Sequence, residues 1–255
     1  MSEKYETILK AQLNHRTIRE FKDQPIPEEL FNHLLEVARR TPTSTGLQSC
    51  SVIRITDKEV KAQLSKICRQ EYVARAPELL VFIVDQHRNS QILKEMGGDS
   101  TKSGDMDKFF QSFTDACLMA QNVNNAVESL GLGAVYLGSI LNDPGKTIEL
   151  LGLPDYTFPV VGLGIGYPDE KPQLKPRMDM KLRVFANKYN SFAGDYLERL
   201  SDYDEEMTSY YDLREANRRS DSFTRQVEQR MTQGIPERQA LMNDIVGQGF
   251  DLKLK

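Results

Sequence analysis

The chain has 255 residues, of which 39% are hydrophobic and 27% are charged, and its formal net charge is −4. These totals are typical of a globular protein large enough for one substantial core, and the acidic balance argues against a nucleic-acid-binding surface. No apolar stretch approaches the ~20 residues of a membrane helix, and the first residues lack the apolar segment of a signal peptide. The sequence therefore predicts a cytoplasmic protein without a membrane or nucleic-acid partner.

The cysteines and histidines are few and scattered. They are Cys50, Cys68, Cys117, His15, His33 and His87. An odd number of cysteines without paired spacing is typical of reduced thiols. Because no cluster has the spacing of metal ligands, the sequence predicts no metal site.

Hydrophobic periodicity predicts the elements of the first half of the chain. They are a helix at 3–13, a helix opening at Pro27 and ending near Arg40, a strand at 50–56, a helix at 57–68 with Asp57 as N-cap, and a strand at 79–84. The last of these is a continuous apolar run, which fits a central strand buried on both faces. Residues 88–106 are polar and contain three glycines, so we expect a mobile loop there.

The second half begins with the strongest helical pattern, at 107–130, followed by Gly131 in the position that commonly ends a helix. Its further elements are a strand from Gly133 with a tight loop at Ser139, a short helix from Pro144 to Leu151, a strand at 159–166, and a largely helical, Arg-rich segment from 195 onward. Strict strand–helix alternation is missing, which favours an α+β fold.

Several common catalytic and nucleotide-binding motifs are absent from the sequence. It contains no G-x-S-x-G elbow, no Walker loop and no glycine-rich Rossmann turn, and the spacing of Gly162, Gly164 and Gly166 does not fit a Rossmann fingerprint. Any nucleotide chemistry must therefore be built in another way.

The stretch His15-Arg16-Thr17-Ile18-Arg19 contains an imidazole, a hydroxyl and two guanidinium groups. In a helical turn, Arg16 and Arg19 would point the same way and present two forks to one anion. Taken alone, the stretch is equally compatible with a solvated surface that pairs with carboxylates.

Three further stretches carry polar groups suited to a ligand, although each also has a plain structural interpretation. Lys175-Pro176-Arg177 fits a phosphate clamp or an exposed basic turn, the Thr43-Ser44-Thr45 loop with Gln48 fits a ligand contact or a capping loop, and Tyr136-Leu137-Gly138-Ser139 fits a close backbone approach or a strand-end turn.

Together, the order and spacing of these stretches resemble the flavin-dependent nitroreductase family, in its NADPH-preferring branch of oxygen-insensitive nitroreductases and flavin reductases. The resemblance runs from about residue 5 to 230. The residues that carry it are His15-Arg-Thr-Ile-Arg19-Glu-Phe with Pro25-Ile-Pro27, Thr41-Pro-Thr-Ser-Thr45 with Gln48, Leu130-Gly-Leu-Gly-Ala-Val-Tyr136-Leu-Gly138, Gly162-Leu-Gly-Ile-Gly166-Tyr-Pro168 and Leu174-Lys-Pro-Arg177. Relatives of this branch usually carry serine where Thr17 and Thr45 stand, but the hydroxyl group is kept.

The resemblance implies a central mixed, mostly antiparallel sheet flanked by helices, in an intertwined homodimer with FMN bound at its interface. It implies an FMN-binding core at 1–190 and a helical C-terminal appendage of the same domain at 191–255. The implied phosphate and ribityl ligands are His15, Arg16, Thr17, Lys175 and Arg177.

The resemblance places the other implied FMN contacts around the flavin ring. Arg19 would face the N1/O2 edge, Gln70 would touch the pyrimidine edge, and Gly138 would donate its N–H to N5, within Tyr136-Leu137-Gly138-Ser139. Thr43 and Thr45 would come from the partner subunit, and Gln48 is a further implied FMN contact.

The C-terminal arginines Arg214, Arg218 and Arg219 are candidates for the 2′-phosphate of NADPH. Their spacing is shifted from that of relatives, so the alternative is a solvated helix face whose arginines pair with acids. NADPH is the implied electron donor, with NADH as an alternative donor.

The implied activity is ping-pong hydride transfer through flavin N5 from NADPH to nitroaromatics, quinones, azo compounds or free flavin. Because the flavin carries the chemistry, no catalytic side chain is predicted. Two alternatives stay open: a flavin reductase with one dedicated partner acceptor, and a flavin-binding sensor without useful turnover.

Overall fold

The computed structural model describes residues 3–192, 194–214 and 222–251. Its four strands form one sheet in the order β1-β2-β4-β3. The strands are β1 Cys50–Arg54, β2 Glu78–Asp85, β3 Gly133–Leu137 and β4 Thr157–Gly166. All three pairings between these strands are antiparallel. The sheet is thus antiparallel throughout its named strands, in agreement with the mostly antiparallel sheet that the resemblance implied.

Helices surround the sheet. They are α1 Glu3–Leu13, α2 Glu28–Arg39, α3 Lys58–Cys68, α4 Tyr72–Arg75, α5 His87–Glu95, α6 Met106–Ser129, α7 Pro144–Leu151, α8 Tyr196–Arg199, α9 Ser201–Arg214, α10 Phe223–Thr232, α11 Pro236–Gln239 and α12 Leu241–Gly247. Short 3₁₀ turns lie at Ser44–Gly46, Thr101–Gly104, Gly138–Asn142 and Met180–Leu182. The α+β class predicted from the sequence is confirmed.

Strand β2 is the centre of the core, as its apolar run predicted. Its residues alternate between the two faces of the sheet: Leu80 and Phe82 belong to one hydrophobic cluster, while Leu79 and Val81 belong to the other. Each such side chain contributes roughly 1.5–3 kcal/mol when fully buried. Helices α2 and α6 pack over the first face, and α3 and α7 over the second.

Local signals set the ends of two helices where the sequence predicted them. The Asp57 side chain accepts hydrogen bonds from the backbone of Glu59 and Val60 at the start of α3, which is the usual role of an N-cap. Gly131 follows α6 with φ 75°, a left-handed conformation that glycine adopts without penalty.

The expectation of a mobile loop over 88–106 is wrong for its first half, which forms helix α5. Ser90 is the one residue of this helix that is buried, so its sequence lacks the apolar stripe by which a helix is usually recognised. Gly97, with φ 76°, lies just after the helix, and a short 3₁₀ turn follows.

The described chain divides into two compact units. The larger contains the described residues up to Lys171 and those from Ile235 onward, and the smaller contains Pro172–Gly234. Ile245 and Phe250 belong to the main hydrophobic cluster of the larger unit, so the last described segment is part of that core. The predicted division at residue 190, with FMN binding assigned to the first part, stays a prediction.

Candidate functional site

The His15–Arg19 segment lies alongside strand β3. The backbone N–H of Ile18 donates to the carbonyl of Ala134 at 2.9 Å, and Thr17 and Ala134 form an isolated parallel bridge. Helix α1 has already ended at Leu13, so Arg16 and Arg19 do not share a helical turn. The segment reaches the sheet by backbone pairing instead.

Ile18 anchors the segment because its side chain is buried against Gly133. A Cβ at Gly133 would lie only 2.6 Å from Cγ1 of Ile18, so glycine is required there for the close approach. The neighbours His15, Arg16, Thr17 and Arg19 keep intermediate exposure. The segment therefore presents its polar side chains from a fixed backbone.

Nδ1 of His15 makes a close contact with the carboxylate of Glu128 in α6. Glu128 also accepts a hydrogen bond from Asn124 at 3.3 Å. Tyr136 of β3 donates its hydroxyl to Gln121 at 3.2 Å. Burial and the nearby Glu128 charge raise the pKa of Tyr136 well above its ordinary value, so this phenol stays a protonated donor at neutral pH.

Arg19 faces an aromatic ring. Its guanidinium carbon lies 5.9 Å from the ring centroid of Tyr72, within the range of a cation–π contact. Burial raises the pKa of Tyr72, and the hydrogen bond with Arg19 opposes that rise. The carboxylate of Glu170 accepts the backbone N–H groups of Arg19 and Glu20. Glu170 therefore holds the backbone of Arg19, while the Arg19 side chain contacts Tyr72.

Gln70 and Ser139, predicted to lie at the flavin ring, are brought together by the fold. The Ser139 hydroxyl donates to the amide oxygen of Gln70 at 2.7 Å. Ser65 donates to the backbone carbonyl of Gln70 at 2.9 Å and fixes this residue just beyond α3. Burial raises the pKa of the nearby Cys68 thiol, and a hydrogen bond with Ser139 opposes that rise.

Gly138 begins a 3₁₀ turn at the end of β3. A Cβ at this position would meet no protein atom within 4 Å, so the space beside it is open to a ligand. Leu137, in contrast, is buried in the core, so only its backbone can contact a ligand.

Sequence reasoning did not single out Arg238. Its guanidinium donates to the carbonyl of Gly138 and to the side chain of Asn142, the latter at 3.2 Å. A lone arginine in a short polar helix gives no sequence signal, since its partners lie about a hundred positions earlier in the chain.

The loop of residues 43–48, here called the hydroxyl loop, has an unusual backbone. Thr45 and Gln48 both have φ 51°, and Gly46 has φ 72°. Asp115 of α6 accepts the backbone N–H of Ser44 at 2.8 Å. Thr43, Thr45 and Gln48 are therefore presented from a loop held by the core of the larger unit.

An open cavity of about 620 Å³ lies between the hydroxyl loop and helix α5. Its lining includes Arg39, Thr41, Thr43, Gln48, Arg88 and Asn89. Arg88 donates to the carbonyl of Gln48, and Asn89 donates to that of Leu47 at 3.2 Å. Helix α5, which the sequence analysis missed, thus supports one end of this loop.

Lys175 and Arg177 belong to the smaller unit, where they line a cavity of about 460 Å³. Tyr203, Phe223 and Met231 contribute apolar surface to the same cavity. Arg177 donates to the carbonyls of Lys175 and Pro176 at 3.3 and 3.2 Å, which folds the basic turn back on itself. Arg230, also missed by sequence reasoning, lines this cavity too.

The arginines predicted to recognise NADPH fall at the edge of the described chain. Arg214 is the last residue of α9, and its side chain lies outside the described part. Arg218 and Arg219 lie outside the described residues altogether, so their assignment stays a prediction.

Three observations bear on other classes of site. Within the described ranges, no group of three or more His, Cys, Asp or Glu residues could hold a metal ion. No helix in the part of the chain described here is long and apolar enough to span a membrane. Cys50 and Cys68 are buried and Cys117 is exposed, all three as free thiols.

Comparison with known families finds two matches that together span most of the chain. The Nitroreductase family profile matches residues 13–167, and the profile of the Nitroreductase family C-terminal domain matches residues 175–253.

Curated relatives have similar lengths. An NADPH-dependent oxidoreductase of Staphylococcus saprophyticus is 37% identical over 230 residues, which is 89% of this chain and 90% of that protein. An NADPH-dependent oxidoreductase of Staphylococcus aureus (strain USA300) is 33% identical over 231 residues, 89% of this chain and 91% of that protein.

Two solved structures share the fold across nearly the whole chain. The NfrA1 nitroreductase of B. subtilis superposes with a TM-score of 0.90 at 33% identity, over 96% of this chain and 100% of that one. The NADPH:FMN oxidoreductase of Vibrio harveyi, solved with NAD+, superposes with a TM-score of 0.85 at 29% identity, over 97% and 100% of the two chains.

Proposed function

We propose that this chain, which belongs to the nitroreductase family, uses FMN to transfer two electrons from NADPH to small organic acceptors. It is an NAD(P)H-dependent oxidoreductase. The acceptors that we propose are nitroaromatics, quinones, azo compounds and free flavin. We further propose that the active form is a homodimer with FMN at its interface.

The observation that carries the proposal is the set of groups around Gly138. Open space lies beside this glycine, Ser139 and Gln70 are hydrogen-bonded to each other at 2.7 Å, and the guanidinium of Arg19 lies over Tyr72. A flavin needs room for a flat ring, hydrogen-bond partners at its edge and a cation near the carbonyl that gains negative charge. The chemistry of this donor set therefore suits FMN.

The residues that would hold FMN fall into groups with different tasks. His15, Arg16 and Thr17 would bind the phosphate and ribityl oxygens, since cations and hydroxyls suit those groups. The same task is proposed for Lys175 and Arg177. Thr43 and Thr45 would reach the cofactor from the second copy, and Gln48 would be a further contact. Arg19, Gln70 and the turn Tyr136–Ser139 would contact the ring.

Bound FMN would supply the two-electron redox chemistry between NADPH and the acceptor, which would use one site in turn. The protein contributes electrostatics and orientation. The Arg19 guanidinium would stabilise negative charge at the ring edge. The Gly138 N–H would donate to N5 and so orient the ring. No side chain is required as a general acid or base.

The proposal is tested with the purified protein and its visible absorbance. FMN added in equal amount should bind, NADPH added without oxygen should bleach the yellow colour, and a quinone or nitroaromatic should restore it. A protein that stays colourless after FMN is offered would contradict the proposal. Bound FMN that is reduced slowly and reoxidised at one rate with every acceptor would instead support the sensor alternative.

The choice of acceptor needs a separate comparison. Steady-state rates with a nitroaromatic, a quinone, an azo dye and free FMN, each at several NADPH concentrations, should give parallel double-reciprocal lines, the pattern of a ping-pong mechanism. Turnover with free flavin alone would favour the alternative of a flavin reductase that serves one dedicated partner.

A further inference from the structure

The hydroxyl loop is held in a conformation that its own residues disfavour. Thr45 and Gln48 both adopt φ 51°, in the left-handed region that glycine tolerates and β-branched residues rarely enter. Strained backbone of this kind persists only where the surrounding structure imposes it. Two charged side chains of the larger unit provide that constraint.

The first is Asp115, in the middle of α6. Its side chain is 1% exposed, and its two oxygens accept the backbone N–H of Ser44 at 2.8 Å and the hydroxyl of Ser49 at 3.4 Å. Its neighbour Ala116 is part of the main hydrophobic cluster. A buried carboxylate among apolar residues is costly unless its oxygens are bonded, and here the bonds go to both sides of the loop.

The second is Arg88, in helix α5. Its guanidinium donates to the carbonyl of Gln48 and lies 3.4 Å from the carboxylate of Asp85. Ser51 donates to that carboxylate and accepts from Arg88 at 3.1 Å. The guanidinium is therefore oriented by the sheet at the point where it meets the end of the loop.

We propose that Asp115 and Arg88 are positioning residues of the flavin site, which hold the hydroxyl loop in the conformation that presents Thr43 and Thr45 to FMN. This inference rests on the proposed function, because it assigns a use to the loop that FMN binding requires. In this proposal both residues act through the loop, by the hydrogen bonds that they make to it.

The energetic pattern supports a functional rather than a purely structural purpose. A loop that only connected α2 to β1 could do so by another path, with neither a left-handed threonine nor a buried carboxylate. A loop fixed in advance loses little conformational entropy when a ligand binds. The constraint is therefore useful where hydroxyl groups must meet a ligand in one geometry.

The test uses Asp115→Asn and Arg88→Gln, with Arg54→Gln as the matched control. Arg54 lies at the other end of β1 and is also a guanidinium bonded to carboxylates, those of Glu28 and Glu78 at 2.9 and 2.8 Å. Its loss should cost stability without reaching the loop. If Asp115→Asn fails to fold, Ser49→Ala removes one of the two donors to Asp115 in a milder way.

The first readout is hydrogen exchange in the flavin-free protein. The amides of the hydroxyl loop should exchange at least ~10-fold faster in both variants than in wild type, since each charge-assisted hydrogen bond is a strong local constraint. The same amides should be unchanged in Arg54→Gln. Equal protection of the loop in all four proteins would overturn the proposal.

The second readout is FMN itself. The dissociation constant, followed by quenching of flavin fluorescence, should rise ~10-fold in the two variants, and the visible circular dichroism of bound FMN should change, with neither effect in Arg54→Gln. If wild type binds FMN and both variants bind it equally tightly, this inference alone fails. If wild type binds no FMN, the proposed function fails and this inference fails with it.

Discussion

The imidazole of His15 contacts the carboxylate of Glu128, which follows it by 113 positions in the chain. The contact attaches the His15–Arg19 segment to α6, the longest helix among the described residues. This is the segment that we expect to bind phosphate. The same carboxylate raises the pKa of Tyr136. One charge therefore affects two of the residues predicted to bind FMN.

Glu128→Gln should lower the pKa of Tyr136, because a nearby negative charge disfavours the phenolate. A phenol whose folded-state pKa lies above the unfolded one makes the protein less stable as pH rises above ~10. Above pH ~10, the free energy of unfolding should therefore fall less in Glu128→Gln than in wild type. Titration of carbon-labelled tyrosine by NMR, with Tyr136→Phe to assign the signal, measures the pKa directly.

Asp107→Asn is the control for this measurement, since Asp107 lies on the same helix with its side chain 73% exposed. It should leave the Tyr136 titration where it is in wild type. A titration that does not move in Glu128→Gln would show that burial alone, and not this carboxylate, sets the pKa.

Arg19→Ala should lower the midpoint potential of bound FMN, because it removes a cation expected to stabilise negative charge at the ring. A shift of about 30 mV corresponds to ~1.4 kcal/mol for a two-electron couple. Reduction by NADPH should slow accordingly. Potentiometric titration with a reference dye and stopped-flow absorbance measure the two effects.

Arg75→Ala removes a nearby arginine that pairs with Glu20 at the surface and should change neither quantity. The variant Arg19→Ala also has a readout that needs no flavin. The pKa of Tyr72 should rise further, because the hydrogen bond that opposes its rise is lost. Unchanged potential and rate in Arg19→Ala would remove this residue from the ring edge.

Thr45→Gly should stabilise the fold and weaken FMN binding at the same time. Glycine relieves the left-handed strain at φ 51°, which is worth up to ~1 kcal/mol after the entropy of the unfolded chain is counted, while the hydroxyl is lost. Urea unfolding and FMN titration test the two halves. Thr43→Gly, at an extended position with φ −130°, should weaken binding without any gain in stability.

Mixed dimers test whether the hydroxyl loop acts on the other copy. If each FMN site takes Arg19 from one subunit and Thr45 from its partner, a dimer of one Arg19→Ala and one Thr45→Gly subunit has one doubly altered site and one intact site. Dimers purified through two different tags should then bind FMN with wild-type affinity at one of their two sites. No recovery would place Thr45 and Arg19 in sites of the same subunit.

Arg219→Ala should raise KM for NADPH and leave KM for NADH unchanged, since the two donors differ by the 2′-phosphate that this arginine is predicted to bind. Arg225→Ala, in α10, is the matched control and should affect the two donors equally. Equal effects of Arg219→Ala on both donors would favour a solvated helix face.

Periodicity was sufficient for the elements with a strong apolar signal. Helix α6 and strand β2 were predictable because residues such as Ala116 and Val81 recur on faces that the core must bury. Helix α5 was not, since it buries almost nothing. The backbone pairing of the His15–Arg19 segment was not predictable either, because arginine spacing alone does not reveal pairing with a distant strand.

The site shows a similar limit. Gln70 and Ser139 could be named from the family resemblance, and the fold brings them into contact. Asp115 and Arg238 could not, since their partners are far away in the chain and neither lies in a recognisable motif. Long-range polar contacts depend on the finished fold, and a single sequence carries no direct signal of them.

The position of Phe250 in the core has a consequence for how the molecule is made. Its ring packs 5.0 Å from Phe109, so the larger unit is completed by residues that follow the smaller unit in the chain. During synthesis, which proceeds from the N-terminus, residues 172–234 emerge before the larger unit has its last core side chain. The smaller unit is thus an insertion, and the nascent larger unit lacks the Phe250 side chain in its core until residues 172–234 have been synthesised.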